Sequence, residues 1–139
     1  MHNQFTNALV RVPANTAHQG LTSRGHLGIP DQQLTLAQHA EYVHALLELG
    51  VEVKALDPSV NFPDGHFVED VAVIYRDLAF ITNPGAPSRR EEVAATKDGL
   101  AQDHRVELSG RAFLEGGDVL YLADDVVLIG VSERTNREG

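Results

Sequence analysis

The sequence predicts an α/β fold assembled from a repeated strand–strand–helix–strand unit, and two observations carry that expectation. The stretch Phe67-Val68-Glu69-Asp70-Val71-Ala72-Val73-Ile74 returns as Phe113-Leu114-Glu115-Gly116-Gly117-Asp118-Val119-Leu120, with Phe67 to Phe113 and Glu69 to Glu115 both 46 residues apart. Each copy then continues in the same order, through a second apolar segment (Leu78-Ala79-Phe80-Ile81 or Val126-Val127-Leu128-Ile129) into a turn bearing serine and arginine. Those turns are Ser88-Arg89-Arg90-Glu91 and Ser132-Glu133-Arg134-Thr135. A period of this length marks stacked or radial modules of one supersecondary unit. The shared order of carboxylate, apolar hairpin and Ser/Arg turn argues more strongly than the spacing.

Taken in order, residues 1–6 are polar and weakly specified. Residues 8–12 read as a strand closed by Pro13. Residues 15–30 contain Gly20, Gly25 and Gly28 and read as one long loop. A loop of that length is either a lid or binding loop or a surface connection, and composition does not choose between them. Residues 31–49 form a helix, because Ala37, Ala40, Val43 and Leu47, with Leu36 and Leu46, lie at three- and four-residue spacings. Gly50 stands where a left-handed cap would end it. Residues 51–56 make the next strand, and Asp57-Pro58 and residues 61–65 are turn and loop. The segments 67–75 and 78–82 are strands joined at Arg76-Asp77, without the strong Asn-Gly signal. After the turn-rich residues 83–87, Ser88 with Glu91 has the spacing of a capping box and announces a short helix. Residues 105–108 form a strand, and residues 119–122 and 126–131 a second hairpin across Asp124-Asp125. Thr135 and Glu138 repeat the capping spacing just before Gly139. This reads as a fragment of a longer chain or one completed by a partner, since an isolated module leaves strand edges open. The competing reading is a compact α/β domain with a polar tail.

A length of 139 residues suits one domain. The formal charge of -9, with acidic residues spread throughout, argues against nucleic acid or an anionic membrane as partner and mildly favours cationic ligands. With no cysteine there is neither a disulfide framework nor a thiol nucleophile in the chain. No apolar run reaches the length of a membrane span or a signal-peptide core, so a cytoplasmic protein is expected.

The residue types that could do chemistry sit where strands begin or end. Asp64, Glu69 and Asp70 cluster in the first copy, and Glu115 and Asp118 flank Gly116-Gly117 in the second. Paired carboxylates can hold a guanidinium or ammonium by charge-assisted hydrogen bonds. Their alternative is a solvated turn. Arg89, Arg90 and Arg134 could grip the carboxylate of a zwitterionic ligand or pair with acids at a helix start. His66 lies near the first acidic cluster, but no second histidine follows at a ligand interval, so no metal is expected. No serine has a GxSxG setting.

These residues together resemble the dimethylarginine dimethylaminohydrolase family of the guanidino-group-modifying superfamily, which also holds arginine deiminase and the amidinotransferases. The resemblance rests on Asp64, Phe67-Val68-Glu69-Asp70, Asn83-Pro84-Gly85-Ala86-Pro87-Ser88-Arg89-Arg90, Glu115-Gly116-Gly117-Asp118-Val119 and Ser132-Glu133-Arg134-Thr135-Asn136. It covers nearly all of this chain and the N-terminal half of the family. It implies a five-bladed α/β propeller (a pentein) of ββαβ modules around a channel. Residues 1–139 would be the N-terminal part of that single domain, about two modules and a truncated one. It also implies cleavage of N-methylated arginine to citrulline and a methylamine or dimethylamine, without cofactor. By position, Asp70 and Glu115 would hold the guanidinium, and Glu115 would orient the catalytic histidine or relay protons. Asp64, helped by the carbonyl of Leu21, would bind the α-amino group. Arg89 and Arg134 would bind the α-carboxylate, with Glu69 in support. The family's catalytic histidine and cysteine fall after the Ser132–Asn136 motif, so this chain is expected to be inactive alone and to need a C-terminal half or a second copy. Two other readings stand beside this one. One is a superfamily hydrolase acting on arginine, citrulline or another guanidino or ureido compound; the other is a non-catalytic module that binds cationic amino acids.

Overall fold

A computed structural model describes residues 5–123 and 126–139. Part of the polar N-terminus and the Asp124-Asp125 turn lie outside the described residues. The chain sorts into two compact units, one ending at Phe67 and the other running from Val68 to Gly139.

In the first unit, β1 (Asn7–Arg11) pairs in parallel with β2 (Glu52–Leu56), from Asn7 opposite Glu52 to Arg11 opposite Leu56. Parallel neighbours need a crossover, and α1 (Gln32–Glu48) supplies it. Asp31 starts that helix as its side chain accepts the Leu34 N–H at 2.7 Å. Its end is a Schellman motif: the N–H of Gly50 reaches the Leu47 carbonyl and that of Val51 the Leu46 carbonyl. Gly50 takes φ 79°, which glycine adopts without a Cβ clash. Between β1 and α1 the long loop holds two 3-10 turns, Ala17–Gln19 and Gly25–Leu27.

In the second unit, β3 (Ala72–Tyr75) and β4 (Leu78–Ile81) form an antiparallel hairpin. Arg76 has φ 57° at its turn, the left-handed backbone that primed hairpin turns require. Next come α2 (Arg90–Lys97) and β5 (His104–Glu107), which pairs in parallel with β4. The expected strand–strand–helix–strand order is therefore present in the first copy. The second copy contributes the hairpin β6 (Val119–Ala123) and β7 (Val126–Ile129). Among the described residues the result is a mixed α/β fold with three sheets, none closed into a barrel.

Two expectations need correction. Residues 67–71 are not strand: Val68–Asp70 form a 3-10 turn, matched in the second copy by Gly116–Asp118. The carboxylates thus precede the strands on tight turns, from which a side chain can leave the sheet direction. Ser88 does not cap α2. That helix grows out of a 3-10 turn, Pro87–Arg89, and neither turn nor helix has a side-chain cap bond. Proline presets φ for a first helical position, and Glu91 and Glu92 in the first turn favour the positive end of the helix dipole. The Thr135 hydroxyl donates to Asp118 and accepts the Glu115 N–H.

The interior of the second unit is half polar. Val71, Ala79, Ile81 and Leu114 are buried beside Thr82, Arg89, Glu92, Thr96, Glu115 and Thr135. Buried charge is rare unless paired, so this interior points to a site. Among the described residues no helix is long and apolar enough to cross a membrane.

Candidate functional site

The two duplicated turns pack on each other, and glycine makes the approach possible. A Cβ on Gly116 would overlap the Glu69 carbonyl, and one on Gly117 would crowd the Asp70 carboxylate. Through that approach the Gly117 N–H donates to Asp70 Oδ1 at 2.9 Å. The second carboxylate oxygen, Oδ2, takes a short hydrogen bond from Arg89 Nη1. Arg89 in turn directs Nε and Nη2 onto Glu92 Oε2, at 3.0 and 2.8 Å. Arg89 is 1% exposed and Glu92 2%. Burial alone would lower the guanidinium pKa, but Glu92 and then Asp70 reverse this and raise it, so Arg89 stays charged.

Glu115 leaves the other turn, also 2% exposed. Its Oε2 lies 3.1 Å from Arg134 Nη1, while its buried Oε1 accepts no hydrogen bond. Burial raises the Glu115 pKa; Asp70 adds to this, and Arg134, Arg89 and the Ala86 backbone N–H oppose it. The charges of Asp70 and Arg89 thus both act on the Glu115 carboxyl, in opposite directions.

A hydroxyl network fixes the backbone around Glu115 and Arg134. Asp118 Oδ2 accepts from the hydroxyls of both Ser132, at 2.8 Å, and Thr135. The Ser132 hydroxyl accepts the N–H groups of Arg134, at 3.0 Å, and Thr135, at 3.1 Å. Thr135 Oγ1 accepts the Glu115 N–H at 3.1 Å. Gly85 packs so closely on the Arg134 backbone that a Cβ there would overlap it.

In the first unit, Asp64 is 7% exposed and accepts the Leu21 N–H on both oxygens, each at 3.1 Å. A Cβ on Gly20 would sit 2.5 Å from Asp64 Oδ1, so glycine lets the loop close on the carboxylate. Asp64 and Leu21 meet through the Leu21 backbone N–H and not through its carbonyl.

Other candidates fall elsewhere. Arg89 is not offered to a ligand as an open cation, because Asp70 and Glu92 hold its fork. Glu69 is exposed; its pKa is raised by surrounding protein and Asp70, an effect that solvent moderates. Asp118 serves the hydroxyl network. Arg90 donates to the Pro84 carbonyl at 3.1 Å and lies over the Phe113 ring. Among the described residues no group of three or more His, Cys, Asp or Glu could hold a metal. An apolar cavity of about 410 Å³, lined by Val73, Tyr75, Phe80, Leu114 and Tyr121 among others, contains none of the cluster's charged residues. Sequence reasoning missed Glu92 and Thr135. The three-residue step from Arg89 to Glu92 was the available signal for the first.

The charge state of Glu115 gives a stability test. A carboxyl whose folded pKa exceeds its unfolded value binds protons more tightly when folded, so stability falls as pH rises through that window. Glu115→Gln removes the slope. Urea unfolding is expected to show the variant about 0.5–2 kcal/mol more stable at pH 8, with no gap at pH below the ordinary glutamate range.

The fold is shared with other solved proteins. The N-terminal domain of the cyanobacterial arginine dihydrolase ArgZ superposes with a TM-score of 0.78 over 97% of this chain, at 15% identity, a likeness of fold alone. More specifically, the model of the family "N,N dimethylarginine dimethylhydrolase, eukaryotic" matches residues 15–139, and the chain belongs to the dimethylarginine dimethylaminohydrolase family. It is 39% identical to the N(G),N(G)-dimethylarginine dimethylaminohydrolase of Pseudomonas aeruginosa over 97% of this chain and 54% of that protein. The corresponding Streptomyces coelicolor protein is also 39% identical, over 95% of this chain and 52% of its own length. A solved mutant of the Pseudomonas aeruginosa enzyme complexed with citrulline superposes with a TM-score of 0.92 at 37% identity, covering 97% of this chain and 53% of that one. The chain thus spans about half the length of these relatives.

Proposed function

We propose that this chain is the cation-binding part of a hydrolase that converts N-omega-methylated arginine to citrulline and methylamine or dimethylamine. The observation that supports it best is the packing of the two duplicated turns, with the Gly117 N–H on Asp70 and, from the second turn, a buried Glu115 whose Oε1 has no hydrogen-bond partner. A planar guanidinium offers N–H groups to both carboxylates. Held so, it exposes its electrophilic carbon to attack perpendicular to the guanidinium plane, while the carboxylates fix that plane. The raised Glu115 pKa suits a group that also passes a proton to the departing amine. Arg134 is assigned the ligand α-carboxylate. Arg89, behind Asp70, adds positive potential for the same carboxylate, and Glu69 supports the turn. Asp64, with Leu21, is assigned the α-amino group on its chemistry and on the family resemblance.

This chain contains no cysteine. The thiolate that opens the covalent route, and the histidine paired with it, are assigned to residues beyond this sequence. In the same proposal residues 1–139 are the N-terminal part of a five-bladed propeller of ββαβ modules. The related activities on arginine or citrulline differ in the product released. Mass spectrometry of products from the complete open reading frame, supplied with dimethylarginine, arginine and citrulline, separates them. Dimethylamine with citrulline from dimethylarginine is the expected result. Ammonia from arginine, with dimethylarginine untouched, would move the assignment to a sister activity.

A further inference from the structure

We infer that Arg134 is a built-in competitor for Glu115: its own guanidinium occupies the carboxylate until a ligand guanidinium displaces it, and it is then taken up by the ligand's α-carboxylate. This rests on the assignment of Glu115 to the ligand cation made above, and it names which cations the site refuses. Arg134 carries the same planar cation as the proposed ligand, and its Nη1 lies 3.1 Å from Glu115 Oε2. The pairing engages one oxygen only, since Oε1 of the same buried carboxylate has no close hydrogen-bond partner, although the Ala86 backbone N–H also acts on the group. A forked guanidinium reaching both oxygens would do better than this one-sided contact.

Arg134 is also made to swing. Its side chain is 51% exposed, while that of Glu115 is 2% exposed. Its backbone, by contrast, is pinned through its N–H to Ser132 Oγ and by the packing of Gly85. The exchange therefore involves side-chain rotation alone.

Charge counting gives the selectivity. Before the exchange one carboxylate pairs with one guanidinium. Afterwards Glu115 pairs with the ligand cation and Arg134 with the ligand carboxylate, so no charge is stranded. A cation without a carboxylate must expel Arg134 and leave it unpaired beside a second positive charge. Discrimination here comes from a repulsive contact as much as from an attractive one.

The test compares N,N-dimethylarginine with agmatine, which keeps the guanidinium and lacks the carboxylate. Dissociation constants come from NMR-monitored titrations of the whole 139-residue chain and its Arg134→Ala variant. The variant is expected to bind agmatine about two- to five-fold tighter, the range that removing one partly exposed ion pair allows. It is expected to bind dimethylarginine about tenfold weaker, as one charge-assisted contact is lost. Agmatine binding that is unchanged or weaker, beside weakened dimethylarginine, overturns the exchange and leaves the ligand assignment standing. Wild-type protein that binds neither compound overturns both. Should Arg134→Ala perturb the amide spectrum broadly, Arg134→Gln keeps the side-chain stem, and the same two directions decide.

Discussion

Asparagine in place of Asp70 is expected to weaken a guanidinium ligand by about 10- to 100-fold and a ureido ligand such as citrulline by only a few-fold. The substitution keeps the shape and the acceptor for the Gly117 N–H, which now bonds Oδ1 at 2.9 Å. It removes the negative charge. A hydrogen bond to a charged group contributes about 1.5–3 kcal/mol, which sets the expected loss for a cation. A neutral ureido group has only an ordinary hydrogen bond to lose. Glu115 remains, so cation binding is reduced rather than abolished. Affinities measured by competition for dimethylarginine and citrulline, with the unfolding midpoint as a check on the scaffold, decide the matter. Equal losses for the two ligands would remove Asp70 from the cation site.

Much of this arrangement was legible in the sequence, and the parts that were not share a cause. The helix at residues 32–48 could be read because Asp31, the apolar spacing and Gly50 all point to the same element. The duplication could be read because Glu69-Asp70 and Glu115 keep their place ahead of apolar strands. Its geometry could not, since a β-rich run such as Phe67 to Val71 has the same pattern whether it forms strand or a 3-10 turn. The glycine pair was visible, but its purpose, backbone approach to Glu69 and Asp70, depends on a contact between segments nearly fifty residues apart. Ser88 misled because a local spacing was satisfied while Pro87 governed the chain's entry into the helix. Arg89 was legible as a candidate site arginine. That its fork is held in the interior by Glu92 and Asp70 follows from burial, which no local pattern encodes. Asp64 and Leu21, 43 residues apart, were linked only through the family resemblance.

The same buried arginine yields the largest expected stability effect. Arg89→Met should lower the unfolding free energy by about 3–5 kcal/mol, the scale for removing one partner of a buried ion pair. Glu92, 2% exposed, would lose the cation that donates to its Oε2, and Asp70 would lose the short hydrogen bond donated by Nη1. Desolvation then favours protonated Glu92 in the folded variant, so its folded pKa rises above the unfolded value. The deficit must be full at pH above that raised pKa and shrink as pH falls through it. Adding Glu92→Met replaces the pair with apolar side chains of similar volume, an exchange that is often near neutral. The double variant should therefore recover most of the stability and lose the excess pH slope in urea titrations at pH 5 and pH 8. Ligand affinity should not recover with it, because Asp70 would keep the Gly117 N–H but lack the arginine that sets its second oxygen. Stability restored without binding would make Arg89 and Glu92 the elements that aim Asp70. A double variant as unstable as Arg89→Met would mean that packing, and not stranded charge, holds this interior together.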